Sequence, residues 1–260
     1  MPTQITTELV KELRDQTGVS VMQCRNALIE AEGDMEKALI ILKNKSSSIA
    51  LKKAERNAKD GLIVILDNGK KAILLALHSE TDFVAKNEDF ISLANRLTKL
   101  ALDEGIEKMQ TKSIEMINLV VQKTGEKIEL GKIEEIEGEV LGSYVHGGKS
   151  GVIVSLKGGN SELARDIAMH IAAMKPLYKT SADITNEDKN KVIEVYEKEV
   201  SQSDKPEEIK KKILDGKIST YFKELTLVDQ SFIKNPETTI GKLLADNGAS
   251  LIGFVQGSIK

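Results

Sequence analysis

Apolar residues recur at helical spacing through the first 45 positions of the chain. After Ser20 the small and apolar positions fall at i, i+3, i+4 and i+7, and they are Cys24, Ala27, Leu28 and Ala31. Gly33 ends this segment, and Asp34 precedes a second one with the same spacing, made by Met35, Ala38, Leu39 and Leu42. With an earlier amphipathic segment around Leu9, the pattern predicts a bundle of three short helices in residues 1–45.

Beyond Gly61 the helical spacing gives way to short apolar runs. Leu62–Leu66 and Ala72–Leu77 flank the dipeptide Asn68-Gly69. An Asn-Gly pair between two apolar runs is the strongest short-range signal of a β-hairpin. The segment is therefore predicted to open an antiparallel sheet.

The chain then returns to helical spacing before a second set of strands. Asn87 is a residue type that caps helices, and it precedes a predicted helix over 88–103. A further helix is predicted over 113–122, and the two helices cover one face of the sheet. Strands around 129–142 complete this sheet, with a β-bulge expected at Gly138.

The second half of the chain repeats the combination of hairpin and helix. Two apolar runs, Val140–His146 and Val152–Leu156, flank a glycine-rich turn, and a helix is predicted over 160–174. Residues 185–224 are rich in Lys, Glu and Asp with a narrow apolar stripe, which predicts a helical hairpin that packs mainly on itself. A short helix over 239–246 and a strand over 250–255 follow.

Composition narrows the class of protein. The chain has 260 residues, 40% apolar and 30% charged, which is enough to bury one or two cores. A net charge of −3 argues against affinity from phosphate neutralisation, so no direct nucleic-acid partner is expected. The apolar runs are too short to span a bilayer and the start, Met1–Gln4, has no signal character, so no membrane partner is expected and a cytoplasmic location is predicted. A single cysteine, Cys24, and three scattered histidines give no disulfide and no recognisable metal or cofactor site.

The stretch His78–Asn87 combines a strand end, a polar loop and a helix start. Phe83 lies within it among Ser79, Glu80, Thr81 and Asp82, in a chain with only five phenylalanines and no tryptophan. Such a ring either folds back as a plug under the loop or points outward to a partner. The residue pattern alone favours local packing, because single apolar residues near helix starts usually pack locally, and the outward orientation stays as the alternative.

Gly148-Lys149-Ser150 resembles the end of a phosphate-binding loop. A phosphate-binding loop of this type requires a glycine five residues before Gly148, where this chain has Ser143. It also requires a helix after the loop, because the N-terminal amides of the helix hold the phosphates. Here the apolar run Val152–Val154 predicts a strand, so a glycine-rich hairpin tip is the better interpretation.

Three segments spread along the chain resemble one family. The first is Thr81-Asp82-Phe83-Val84-Ala85-Lys86-Asn87. The second is the amino-terminal series Leu13-Arg14, Thr17-Gly18, Met22, Cys24, Ala27 and Leu28, and the third is Ile167–Ala173 followed by Lys175-Pro176. Their order and spacing resemble those of the elongation factor Ts family, and the matches extend over essentially the whole chain.

The resemblance implies an α+β fold with a defined domain organisation. It consists of an N-terminal three-helix bundle of the ubiquitin-associated type, followed by two core subdomains, each an antiparallel sheet with helices, and an inserted helical hairpin. The corresponding divisions are the bundle over 1–45, a linker over 46–60, a core N subdomain over 61–139, a core C subdomain over 140–180 and 225–260, and the hairpin over 181–224. Some members of the family dimerise through this hairpin.

The resemblance also implies a function through binding, with no covalent chemistry and no cofactor. The family members are guanine nucleotide exchange factors that bind elongation factor Tu in its GDP form, displace Mg²⁺ and promote GDP release and GTP rebinding. The residues implied at the partner's magnesium site are Thr81, Asp82, Phe83 and Val84. Further partner contacts are implied at His146, Gly147, Val21 and Met22. A homodimer, or an assembly of two copies with two GTPases, is compatible with the resemblance.

Two functions of other classes stay open at this point. A helical adaptor would bind other proteins through residues 1–45 alone and would be indifferent to GDP. A nucleotide-utilising enzyme built on Gly148-Lys149-Ser150 would bind GTP or ATP without any partner.

Overall fold

The computed structural model describes residues 5–203 and 205–259, so the Met1–Gln4 start discussed above lies outside the described residues. The N-terminal part consists of three helices, α1 (Thr7–Thr17), α2 (Val21–Glu30) and α3 (Met35–Lys53). Thr6, Ser20 and Asp34 cap them through side-chain oxygens that accept backbone N–H bonds. The helices enclose a small core of Val10, Leu13, Val19, Cys24, Ala27, Leu28, Ala31, Ala38 and Leu42. Helix α3 runs without a break through residues 46–53, the first part of the predicted linker.

The first sheet is antiparallel, with strand order β1-β2-β3. Its strands are β1 (Asp60–Asp67), β2 (Lys71–Ser79) and β3 (Ile128–Glu137). The expected hairpin is present, and the Asn68 side chain accepts N–H bonds from Lys70 and Lys71 in its turn. Three helices follow β2, namely α4 (Asp82–Ala85), α5 (Glu88–Glu104) and α6 (Ile106–Thr124). Buried residues such as Leu75, Phe90 and Leu97 join α5 and α6 to one face of the sheet.

The second sheet is also antiparallel, with strand order β4-β5-β8. Its strands are β4 (Val140–His146), β5 (Ser150–Lys157) and β8 (Ser250–Ser258). Helices α7 (Ser161–Met174) and α10 (Ile240–Asp246) join its core through Ile167, Ile171 and Ile240. The remaining elements are α8 (Asn186–Ser201), α9 (Glu207–Leu225), β6 (Ser231–Phe232) and β7 (Asn235–Thr239).

The two sheets pack face to face, which gives four layers in the order helix, sheet, sheet, helix. Ile63 and Leu74 of the first sheet and Ile153 of the second are buried between them. Glycines allow the close approach, since a Cβ atom on Gly151 would lie 2.7 Å from Ile63 Cγ2 and one on Gly257 would lie 2.8 Å from Leu74 Cδ2. The α+β fold class is confirmed.

Two local expectations for the first sheet were wrong. Helix α6 begins at Ile106 rather than at residue 113. Gly105 lies between α5 and α6 and has no side chain to cap the second helix, so the sequence has no start signal there. Gly138 is not a bulge but lies between β3 and β4, and the irregular register of the first sheet is at Leu75/Leu77. A Cβ atom at position 138 would crowd Ser155 Oγ, so the close packing there favours glycine.

The α8–α9 hairpin is attached at a narrow base. Helices α8 and α9 pack against each other, and the chain on either side of them is joined by a parallel bridge between Tyr178 and Thr226. The Leu177 N–H donates to Leu225 O at 2.9 Å, and the Leu227 N–H donates to Tyr178 O at 2.9 Å. The small β6–β7 pair beyond this base had no counterpart among the predicted elements. Among the described residues no helix is long and apolar enough to cross a membrane.

Candidate functional site

Phe83 lies on α4, the single helical turn between β2 and α5. Its side chain is 82% exposed, whereas the next two residues, Val84 and Ala85, are buried in the core of the first sheet. The local packing favoured by the residue pattern is therefore wrong, and the ring points outward. The ring is therefore accessible to another molecule, while the residues after it anchor the turn.

Asp82, next to Phe83, carries a carboxylate that is kept ionised. Its Oδ2 accepts a hydrogen bond from Lys86 Nζ at 2.7 Å, four residues further along the same turn. The hydrogen bond and charge of Lys86, with a smaller contribution from Lys149, hold the pKa of Asp82 below its ordinary value. The exposed face of α4 therefore presents a negative charge beside an aromatic ring.

Thr81 and Val84 point into the protein. The Thr81 hydroxyl accepts the Val84 N–H at 3.4 Å and so caps α4. The same hydroxyl donates to Glu126 Oε1 at 2.7 Å, and the Thr81 N–H donates to Glu126 Oε2 at 3.0 Å. Of the four residues that the resemblance placed at the partner's magnesium site, Asp82 and Phe83 are available to a partner, while Thr81 and Val84 hold the turn.

A second carboxylate ties the same segment to the loop after α6. Glu80 Oε1 accepts the Lys127 N–H at 2.6 Å, and the Arg56 guanidinium lies 3.4 Å from it. The Lys127 bond is the main reason why the pKa of Glu80 is lowered. Neither Glu80 nor Glu126 was singled out from the sequence, because carboxylates are abundant there and the residues they bond are more than 40 positions away.

His146 and Gly147 lie at the exposed tip of the β4–β5 hairpin. The Tyr144 hydroxyl is 3.0 Å from His146 Nδ1. Gly147 and Gly148 adopt φ angles of 55° and 70°, which favour glycine and explain the glycine-rich turn.

The hairpin tip is fastened to the first sheet. The Ile63 N–H on β1 donates to Gly148 O at 2.7 Å, and Lys149 pairs with Asp60 at 2.5 Å. The charge of Lys149 also helps to lower the pKa of Asp82, and the charge of Asp60 helps to raise the pKa of Lys86. The structure therefore brings the α4 turn and the hairpin tip together on one side of the molecule, around β1.

Val21 and Met22 occupy the first turn of α2, with exposures of 53% and 65%. The adjacent Gln23 accepts a hydrogen bond from the Gln122 side chain of α6 at 3.2 Å. Lys123 of α6 contacts Gly18 and also pairs with Asp89, in the first turn of α5, at 2.9 Å. A cavity of about 400 Å³ remains between α1, α3, α5 and α6, lined by residues that include Val19, Leu42, Leu93, Met116 and Val120. The region of Val21 and Met22 is thus connected through α6 to the start of α5, and α5 directly follows the α4 turn.

The geometry does not support phosphate binding at Gly148-Lys149-Ser150. Ser150 begins strand β5, so no helix N-terminus faces the loop. Within residues 5–203 and 205–259, no group of three or more His, Cys, Asp or Glu side chains could hold a metal ion. The predicted contact residues that reach solvent are Val21, Met22, Asp82, Phe83, His146 and Gly147, and we refer to them together as the contact surface.

Comparisons with known proteins agree on one family. A family model described as "Elongation factor TS" matches residues 80–259. The chain is 39% identical to the elongation factor Ts of Hahella chejuensis over 259 residues, covering 97% of this chain and 91% of that protein. It is 37% identical to the elongation factor Ts of Alcanivorax borkumensis (95% and 91% covered) and 39% identical to that of Pseudomonas syringae pv. tomato (96% and 89% covered). These relatives also cover the N-terminal helices, which lie outside the range of the family model.

Proposed function

This chain belongs to the elongation factor Ts family of translation elongation factors, and from that membership we propose that it is the guanine nucleotide exchange factor of elongation factor Tu. It binds the GDP form of that GTPase, weakens nucleotide binding and leaves when GTP enters. The observation that carries the proposal is the exposed Phe83 ring on a short turn that several hydrogen bonds hold in place.

Displacement of Mg²⁺ is the proposed means of weakening the nucleotide. In GTPases of this kind Mg²⁺ joins the phosphates to protein side chains, so its loss removes a large electrostatic attraction. Phe83 inserts between helices of the partner near this ion, and the ionised Asp82 carboxylate disturbs the charges around it. Thr81 and Val84 contribute by holding the turn in shape.

Energetic coupling requires more than one contact. A factor that weakens GDP binding tenfold must supply about 1.4 kcal/mol of coupling free energy, and GDP weakens the factor's own binding equally. Complete burial of one Phe side chain stabilises by roughly 1.5–3 kcal/mol, which is one to two powers of ten. Phe83 alone is therefore insufficient. The proposal adds His146 and Gly147 as a second contact and Val21 and Met22 as a third.

The first test is the release of fluorescent GDP from elongation factor Tu by substoichiometric amounts of this protein. We expect multiple-turnover acceleration, and we expect Phe83→Ala to lower the second-order rate constant of exchange about 10- to 100-fold, because the apolar burial is lost. The melting temperature should stay the same, since the ring makes little contact within its own chain.

Leu51→Ala is the matched control, because Leu51 is 76% exposed and lies outside the contact surface. It should leave the exchange rate unchanged. If Phe83→Ala exchanges as fast as Leu51→Ala, Phe83 is not the inserted residue. If the folded wild-type protein does not accelerate release at all, the exchange function is wrong and a helical adaptor becomes the leading candidate.

A further inference from the structure

Two loops that are distant in sequence exchange hydrogen bonds in a reciprocal arrangement. The Glu126 carboxylate accepts the N–H of Thr81, the residue after Glu80, at 3.0 Å. The Glu80 carboxylate accepts the N–H of Lys127, the residue after Glu126, at 2.6 Å. Because each glutamate bonds the backbone next to the other, the separation of the two loops is set at two adjacent points.

The contact of Glu126 with Thr81 is the one that bears on α4. One carboxylate oxygen takes the Thr81 N–H and the other takes its hydroxyl at 2.7 Å, so both side-chain oxygens are used on one residue. The Thr81 carbonyl is fixed from a third side by the Ser79 hydroxyl at 2.9 Å. Hydrogen bonds to a charged group contribute more to stability than neutral ones.

Helix α4 depends on this support because it is a single turn. A helix of four residues does not form by itself, since nucleation is unfavourable and only continued propagation or tertiary contacts offset it. Two contacts hold α4, namely the burial of Val84 and Ala85 and the Thr81 cap at its start. The buried side chains attach the turn to the core, and the cap sets the direction in which Phe83 leaves it.

We propose that Glu126 is a positioning residue for exchange: through Thr81 it holds the α4 turn in the orientation that presents Phe83 to the GTPase. The inference rests on the proposed function. Glu126 itself needs no contact with the partner or the nucleotide. Its absence raises the conformational freedom of Phe83, and the fraction of molecules with the ring in the binding orientation falls accordingly.

The first readout requires no partner. The chain contains no tryptophan, so Phe83→Trp introduces a single tryptophan at the exposed position. With selective excitation beyond the absorption of the four tyrosines, its anisotropy decay reports nanosecond motion there. Adding Glu126→Ala should increase the amplitude of this motion while the unfolding transition stays cooperative, because the apolar core of the first sheet keeps its residues. Glu126→Gln retains one acceptor oxygen and should restore most of the order.

Glu115→Ala is the matched control for the fluorescence measurement. It removes a glutamate of α6 whose carboxylate pairs with Lys43 at 2.7 Å, and it should leave the motion at position 83 unchanged. An anisotropy decay that Glu126→Ala does not alter overturns the positioning role, whatever elongation factor Tu does.

The second readout is exchange, measured as a double-mutant cycle with Phe83→Ala. Alone, Glu126→Ala should slow exchange about tenfold, and Glu126→Gln should slow it less. In the Phe83→Ala background the Glu126→Ala change should have almost no further effect, because both changes act through one side chain. If Glu126→Ala slows exchange by the same factor in the wild-type and in the Phe83→Ala protein, the inference is wrong. A wild-type protein without exchange activity overturns the proposed function instead, and the fluorescence result then decides the positioning role by itself.

Discussion

His170 is completely buried, and both nitrogens of its ring have partners. The Ile233 N–H points at Nδ1 at 3.3 Å, which makes Nδ1 the acceptor. Nε2 therefore carries the proton and donates to Gln230 Oε1 at 2.9 Å. These contacts require the neutral form of the ring. Protonation would remove the acceptor that the Ile233 N–H uses.

This environment predicts a stability that depends on pH. Burial lowers the pKa of His170 below its ordinary value of 6.5, so the unfolded chain binds a proton at a higher pH than the folded protein does. The stabilisation is complete above about pH 6.5 and is lost as the pH falls towards the folded-state pKa, with a slope of at most about 1.4 kcal/mol per pH unit.

Urea unfolding at pH 7.5 and at pH 5.5 measures this contribution of His170 to the free energy of unfolding. His170→Gln removes the titrating group and should flatten the dependence, although it also lowers the stability at pH 7.5 through lost packing. His146→Gln changes an exposed histidine and should preserve the wild-type slope. A slope that is identical in all three proteins would show that His170 does not titrate on unfolding.

Phe83 illustrates how far single residues could be predicted. Its place between a strand and a helix follows from the apolar run before it and from Asn87 after it. The direction of its side chain does not follow, because burial of Val84 and exposure of Phe83 depend on how the turn meets the sheet. The role of Glu126 could not be predicted from the sequence at all, since nothing local distinguishes it from other glutamates in a highly charged chain.

Elements with strong local signals were predicted correctly. The Asn68-Gly69 turn and the Asn87 cap act through hydrogen bonds to residues two or three positions away, so a short stretch of sequence contains the whole interaction. The start of α6 was missed because Gly105 provides no capping side chain. Gly138 was misread because its small size serves the packing against Ser155, which belongs to another strand.

Gly142 makes a similar tertiary contact between a helix and a sheet. It lies on β4 and is buried under α7, where a Cβ atom would collide with the backbone at Ala164 and Arg165. We expect Gly142→Ala to lower the free energy of unfolding by about 1–3 kcal/mol, because the helix must move away from the strand. Chemical denaturation measures the change.

Gly253→Ala is the matched control in the same sheet. Its new Cβ atom would lie 3.7 Å from Ile136 Cδ1, an ordinary van der Waals contact. The expected loss of stability is below about 0.5 kcal/mol. Equal losses for the two variants would mean that the general effect of alanine in a strand, and not the approach of α7, determines the result.

At the scale of the whole molecule, the α8–α9 hairpin is separate from the packed layers. Its buried residues belong to none of the four apolar clusters described for the rest of the chain. A residue near each end of the hairpin lies beside Tyr178. Asp188 of α8 lies near its hydroxyl, and the ring of Phe222 of α9 lies 6.2 Å from its ring. The base is narrow enough for a short connection to replace the hairpin.

Replacement of residues 186–221 by a short Gly/Ser linker should therefore preserve the fold. We expect a cooperative thermal transition within about 5 °C of the wild type, since the four clusters keep their residues. Exchange should also continue, because the contact surface lies on other elements. Loss of the cooperative transition would contradict this view of the hairpin. The role of the hairpin in dimerisation stays a prediction, and light scattering before and after the deletion tests it by the change in mass.

Assembly of the contact surface was beyond sequence reasoning for a physical reason. Asp60 and Lys149 are 89 positions apart, and Thr81 and Glu126 are 45 apart. Periodicity and turn signals describe neighbours within about one turn of a helix or one hairpin. The closeness of the α4 turn and the β4–β5 tip results from the packing of two sheets, which only the complete fold determines.

The bond from Ile63 to Gly148 O and the Lys149–Asp60 pair attach the β4–β5 tip to β1, which also contacts the α4 turn. Under the proposed function, the protein then behaves as a preassembled bivalent ligand. Once one element has engaged the GTPase, the other is held at a high effective concentration, and its binding is an intramolecular event. The two equilibrium constants multiply without a second loss of translational freedom. Release on GTP entry can follow the reverse course, because detachment of either element removes the advantage of the other.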